Sequence, residues 1–185
     1  MFGRLGAFFL DLIQIIVFAV SIFLFVYLLI LQPHKIKGES METNFHDGEY
    51  ILTEKVTYRF NPPQRGDVIV FKAPPDDHDE FIKRVIGLPG DTVMVQNCHV
   101  YVNNQQLNET YLRSDLCTNP GSLAKEGEPL TVPAGKYFLL GDNRPHSLDS
   151  RFEQVGFLGK EKFTGKAWII YWPLNRLGSV KGVTY

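Results

Sequence analysis

Residues 81–91 read Phe81-Ile82-Lys83-Arg84-Val85-Ile86-Gly87-Leu88-Pro89-Gly90-Asp91. Apolar and β-branched residues surround a single basic pair, and Pro89-Gly90-Asp91 breaks the run. The segment reads as a short strand. Side chains alternate along a strand, so Lys83 and Arg84 point to opposite faces. One of them can enter an apolar site while the other meets solvent or a carboxylate.

The same grammar extends in both directions. Tyr50–Thr53, Asp67–Lys72, Thr92–Val95, His99–Val102, Lys136–Leu140 and Ala167–Trp172 are short, rich in β-branched or aromatic residues, and bounded by turn residues. Asn103-Asn104 after His99–Val102 predicts a hairpin turn, with Gln105-Gln106-Leu107 returning. Pro133-Ala134-Gly135 marks another break. Helical periodicity is scarce after residue 35. The expectation is a mostly β fold, an antiparallel sheet domain over residues 36–175. Residues 97–131 are polar, hold both cysteines and lack apolar runs. They predict a small inserted subdomain between core strands.

Upstream, Leu12 to Leu31 reads LIQIIVFAVSIFLFVYLLIL. About 20 such residues cross a hydrocarbon core roughly 30 Å thick. Only Gln14 and Ser21 are polar, and neither is charged. The stretch is apolar on all faces, which a soluble core helix rarely is. A cleavable leader would have a shorter apolar region and small residues at a cleavage site, whereas Gln32-Pro33-His34-Lys35 follows here. The reading is a retained transmembrane anchor at 12–31, with a short tail at 1–11 and another at 176–185. Arg4 before the span and Lys35 and Lys37 after it do not set orientation by charge.

Composition narrows the partners. The chain has 185 residues, 44% hydrophobic and 21% charged, too apolar for a disordered chain. A net charge of -1 gives no electrostatic case for nucleic acid. Cys98 and Cys117, 19 positions apart, are the only cysteines and the histidines are scattered, which argues against a zinc site. A disulfide in an oxidising compartment and two buried thiols both fit.

Four strings now join into one pattern: Gly38-Glu39-Ser40-Met41, Arg65-Gly66-Asp67-Val68-Ile69-Val70-Phe71, the Phe81–Asp91 segment, and Gly141-Asp142-Asn143-Arg144-Pro145-His146-Ser147-Leu148-Asp149-Ser150-Arg151. In order and spacing, behind an anchor, the chain resembles bacterial type I signal peptidases from the anchor to Tyr171-Trp172-Pro173. The resemblance implies a membrane serine endopeptidase that removes signal peptides from exported precursors through a Ser-Lys dyad. Ser40 matches the nucleophile and Lys83 the general base. Ser147 matches the residue that hydrogen-bonds and orients the lysine. The Ser40 backbone N–H matches the oxyanion donor, with Gly38 standing where some members add a serine hydroxyl. Asp142, Arg144, Asp149 and Arg151 match a structural ion-pair network, Asp142 with Arg151 being the expected partners. Met41 matches the methionine at the floor of the substrate site. Ile36, Phe45 and Val85 are candidates for shallow apolar pockets.

The chemistry is coherent in its own right. A serine hydroxyl is a weak nucleophile until a base takes its proton. Lysine is a base only when neutral. Lowering its pKa from about 10.4 to near 7–8 takes roughly 4 kcal/mol against the ammonium, which burial can supply. Phe81, Ile82, Val85 and Ile86 offer such burial. No metal or other cofactor is implied. The implied partners are signal peptides, the lipid bilayer and the export machinery. The family places the N-terminus inside and the catalytic domain on the outer face of the cytoplasmic membrane.

Two departures stand out. The family's Ser-Met-x-Pro-Thr is Ser40-Met41-Glu42-Thr43-Asn44 here, which predicts a looser turn after the nucleophile. The glycine that soon follows the Asp-Ser-Arg string is delayed to Gly156. The rival readings are a Ser-Lys peptidase specialised for pilus or conjugation proteins, and an inactive tethered domain that binds signal peptides.

Overall fold

The computed structural model describes residues 2–183 and Tyr185. Its one long helix, α1, spans Phe2–Leu29. Residues Gly6–Leu29 have a mean hydropathy of 2.8 and no buried share. At 1.5 Å per residue they extend about 36 Å, enough for a hydrocarbon core. The helix therefore starts earlier than the expected anchor and absorbs most of the 1–11 tail. It also stops two residues sooner, because Leu31 already pairs with Glu54 in a sheet. Lys55 Nζ donates to the Tyr27 and Leu28 carbonyls at 3.3 and 3.5 Å. A cation at this end satisfies carbonyls that the helix leaves free.

Strands follow at β1 (Leu31–Lys35), β2 (Tyr50–Glu54), β3 (Val68–Lys72), β4 (Glu80–Gly87), β5 (Thr92–Gln96), β6 (His99–Val102), β7 (Gln105–Gln106), β8 (Leu130–Thr131), β9 (Lys136–Leu140), β10 (Leu158–Gly159), β11 (Phe163–Trp172) and β12 (Gly178–Ser179). A four-residue helix, α2, covers Thr57–Phe60. The main sheet has the order β1-β2-β11-β3-β4-β9-β10, with β12 beside β11, and its ladders are antiparallel. The mostly β, antiparallel expectation matches this architecture. The expected C-terminal tail does not stand free, because Gly178 and Ser179 pair with Ile170 and Ile169.

A second sheet, β7-β6-β5-β8, forms the small subdomain. It begins at Thr92 rather than residue 97, since β5 pairs with β6 and β8 and not with the main sheet. Asn103 and Asn104 sit at φ 53° and 65°. This is the left-handed pair that a two-residue hairpin turn demands, and asparagine tolerates it. Val93, Val95, Val100 and Val102 pack with Ile86, Phe138 and Leu140 of the main sheet in one core. Beyond β7 the subdomain has little core of its own, and a Cys98–Cys117 disulfide ties its long loop to the β5–β6 turn.

Two strand edges matter for the site. Among the described residues, β1 pairs with β2 and with no other strand. On its β9 side, β4 is paired at Arg84, Val85 and Gly87, so residues 80–83 carry a ladder to β3 alone. These two open edges face each other across a groove of about 780 Å³.

Candidate active site

Ser40 lies in the turn after β1, at one end of that groove. Gly38, two residues before it, has φ 84°, a conformation glycine adopts without penalty, and its N–H donates to Asp47 Oδ1 at 2.7 Å. Lys83 reaches Ser40 from β4. Its Nζ is 2.7 Å from Ser40 Oγ and 2.9 Å from the Ile82 carbonyl. Lys83 is only 2% exposed, and it forms no ion pair among the described residues. Burial lowers its pKa to about 8, with Asp149 and Asp142 pulling it up and Arg151 pushing it down from a distance. The paired geometry and the lowered pKa are what a neutral lysine base requires.

Arg84 takes the other face, as alternation predicts. It grips Asp142 through Nε at 2.9 Å and Nη2 at 2.6 Å, and it donates to the Gly66 carbonyl at 2.9 Å. Its guanidinium lies 4.2 Å from the Tyr111 ring centre. The expected Asp142–Arg151 pair therefore does not form. Arg151 is held by Asp149, two residues away, at 2.8 and 2.9 Å. A fork-shaped donor meets a carboxylate on its own turn there, which leaves Asp142 to the nearer Arg84. Arg144 pairs with Glu109 and donates to Thr118 Oγ1 at 2.7 Å and to the Gly141 carbonyl at 3.0 Å. The four expected network residues are all buried together behind Ser40 and Lys83.

Ser147 is 6% exposed, close to Ser40, but its Oγ has no hydrogen-bond partner among the described residues, so the expected bond to Lys83 is not made. Lys83 spends its donors on Ser40 and the Ile82 carbonyl instead. Gly141 explains the close approach of these parts. A Cβ there would meet Ser147 Oγ at 2.2 Å and the Ser40 carbonyl oxygen at 2.5 Å.

Of the four substrate-pocket candidates, Ile36 lines the groove. Met41 and Phe45 do not line it; they are buried with Val68 and Val70 in the core beneath Ser40. Val85 belongs to a different core, beside Phe71 and Leu139. The apolar wall is instead Ile36, Ile51, Val70, Phe81, Ile82 and Leu148. These sit on separate strands, so no local string announces them.

The altered turn is not loose. Asn44 Nδ2 donates to Asp142 Oδ2 at 2.8 Å and to the Tyr111 carbonyl at 3.1 Å. Glu42 N–H and Phe45 N–H close the turn on the Glu39 and Met41 carbonyls. Thr43 carries φ 93°, which a proline ring, fixed near −65°, could not reach. Asn44, whose side chain holds this turn, and Glu109 and Tyr111, whose side chains hold Arg144, are not announced by the sequence. Asn44 looked like a mere departure, and the other two lie in the polar insert.

Comparison with known proteins gives the family. A family model described as signal peptidase, peptidase S26, matches residues 9–172. A probable signal peptidase I-2 from Synechocystis sp. is 37% identical over 91% of this chain and 76% of its own length. A signal peptidase I from Leptolyngbya laminosa is 40% identical over 78% of this chain and 70% of its own. One from Bacillus licheniformis is 32% identical over 90% of each chain. A crystal structure of a signal peptidase I from Enterococcus faecalis, 34% identical, covers 57% of this chain and 97% of its own with a TM-score of 0.47. A β-sheet hydrolase of the peptidase class is thereby defined. The chain belongs to the signal peptidase family, peptidase S26.

Proposed function

We propose that the chain is a membrane-anchored serine endopeptidase that removes signal peptides from exported preproteins through a Ser40–Lys83 dyad. The observation that carries this reading is the 2.7 Å contact between Lys83 Nζ and Ser40 Oγ, buried, without an ion-pair partner for the lysine, at the end of an open groove. The cleavage region of a precursor lies extended between the free edges of β1 and β4 and pairs with their backbone. Ile36, Ile51 and Ile82 favour small apolar side chains beside the scissile bond.

Neutral Lys83 takes the Ser40 hydroxyl proton as Oγ attacks the carbonyl carbon. The Ser40 N–H receives the developing oxyanion. The C–N bond then breaks, Lys83 returns its proton to the leaving amine, and the mature protein departs. A water molecule, deprotonated by Lys83, attacks the Ser40 ester; as the C–O bond breaks, Lys83 returns the proton to Ser40 Oγ and the signal peptide is released. Asp142, Arg84, Arg144, Asp149 and Arg151 hold the walls of this site and do not touch substrate.

In this reading α1 spans the cytoplasmic membrane with its N-terminus inside and the sheet domain outside, near the export machinery. The Cys98–Cys117 disulfide supports an oxidising outer compartment. The test is cleavage of a preprotein with an Ala-x-Ala site by the detergent-solubilised protein. Wild type is expected to cleave at that site, while Ser40→Ala and Lys83→Ala lose at least about 10⁴-fold in rate. Folded wild type that binds several precursors and cleaves none would instead favour an inactive binding domain.

A further inference from the structure

Ser40 has carbonyls on both sides of it, and one residue holds both. Asn143 N–H donates to the Ser40 carbonyl at 3.0 Å. Asn143 Nδ2 donates to the Glu39 carbonyl at 2.9 Å. The Glu39–Ser40 peptide is planar and trans, so its C=O and its N–H share a plane and point in opposite directions. Fixing the Glu39 oxygen against the 141–147 loop therefore fixes the direction of the Ser40 N–H. That N–H donates to no protein acceptor among the described residues.

Asn143 is itself immobilised. Its carbonyl accepts from His146 N–H at 3.0 Å, and its neighbour Asp142 is gripped by Arg84 and Asn44. Within the turn the Glu39 carbonyl also accepts from Glu42 N–H at 2.9 Å, and Asn143 adds the tie between this peptide and the 141–147 loop. Gly38 is at φ 84°, with open space where a Cβ would sit, and Glu39 is exposed. Among the described residues, the side chain that hydrogen-bonds the Glu39–Ser40 peptide is that of Asn143.

We infer that Asn143 is a positioning residue for the oxyanion hole, clamping the Glu39–Ser40 peptide so that the Ser40 N–H is aimed into the groove before substrate arrives. This rests on Ser40 being the nucleophile. With no side-chain donor at position 38, the single backbone donor carries the developing charge, and its alignment governs the rate. The bond to the Glu39 carbonyl also polarises the same peptide and strengthens its N–H as a donor.

The test uses the full-length protein in detergent with Asn143→Asp and Asn143→Ala. Asp keeps the size and turns the Nδ2 donor into an acceptor facing the Glu39 oxygen. Ala keeps the Asn143 N–H and removes only the amide. Three quantities are measured: kcat and KM on a preprotein, affinity for a substrate-like peptide aldehyde, and affinity for the matching reduced-amide peptide. The aldehyde adds Ser40 Oγ to its carbonyl and forms an oxyanion; the reduced amide has no carbonyl oxygen. Expected are a 10- to 100-fold fall in kcat, a KM within threefold of wild type, a matching loss of aldehyde affinity and unchanged reduced-amide affinity. Unchanged kcat and aldehyde affinity overturn the inference. Equal weakening of both peptides, or variants that do not fold, make Asn143 a general structural residue and overturn it as well. Failure of the underlying reading looks different: wild type itself would form no Ser40 adduct with the aldehyde by mass spectrometry.

Discussion

Lys83 and Arg84 are sequence neighbours, equally buried at 2% exposure, and treated in opposite ways by the fold. Arg84 receives a bidentate carboxylate, a backbone carbonyl and an aromatic face. Lys83 receives a hydroxyl and its neighbour's carbonyl. The rear of the strand is electrostatically saturated, and the front is left hungry. Burial alone does not decide what a buried cation becomes. A complete partner set makes a permanent charge and a rigid strut, whereas an incomplete set makes a base.

The contrast can be broken most severely from the rear. Arg84→Met leaves Asp142 buried with Asn44 as its remaining side-chain partner. We expect a loss of about 3–5 kcal/mol in stability, read by denaturant unfolding of the detergent-solubilised protein. A loss under about 1 kcal/mol would mean that the saturated rear is decorative.

The front should respond with the other sign. The Lys83 pKa is about 8 in the folded chain against an ordinary 10.5, so the unfolded state binds more protons between those values. Wild-type stability then rises as pH climbs from about 8 towards 10.5, and the penalty stands in full below 8. Lys83→Met should remove that rise and be more stable at pH 7 by on the order of 3 kcal/mol, while losing activity. A variant less stable than wild type at pH 7 would show that the lysine is held by partners after all.

The same titration sharpens the functional side. Below about pH 8 the rate kcat/KM should fall close to tenfold per unit as Lys83 gains its proton, with a plateau above. A flat profile from pH 6 to 9 would exclude Lys83 as the base. The smallest effect is expected at Ser147. Its hydroxyl makes no hydrogen bond, so Ser147→Ala should change stability by less than about 1 kcal/mol.

The strands, the long apolar helix and the Ser40 and Lys83 positions were legible in the sequence because each is written in a short contiguous code. β alternation foretold the opposed faces of Lys83 and Arg84. Pairings across the chain were another matter. Asp142 and Arg151 looked like partners because their charges alternate within one loop, but Asp142 meets a residue 58 positions away. Glu109 and Tyr111 looked like filler in a polar insert, yet they hold Arg144 and brace Arg84. Val85 and Phe45 are apolar neighbours of the dyad in sequence and belong to the core in space. Motif strings report which residue types are required, while three-dimensional neighbours depend on the sheet order that brings distant strands together.

One residue, Ile30, separates the end of α1 at Leu29 from the start of β1 at Leu31. Eleven positions separate Leu29 from Ser40, so even a fully extended chain would hold the nucleophile within about 40 Å of the helix end. With α1 in a bilayer, this short leash confines the enzyme to a thin layer at the membrane surface. In the proposed function, precursors held in the same bilayer would meet it by diffusion in two dimensions, at a local concentration that the bulk solution never supplies. Weak pockets suffice under those conditions, and a groove open along its length can let its product go.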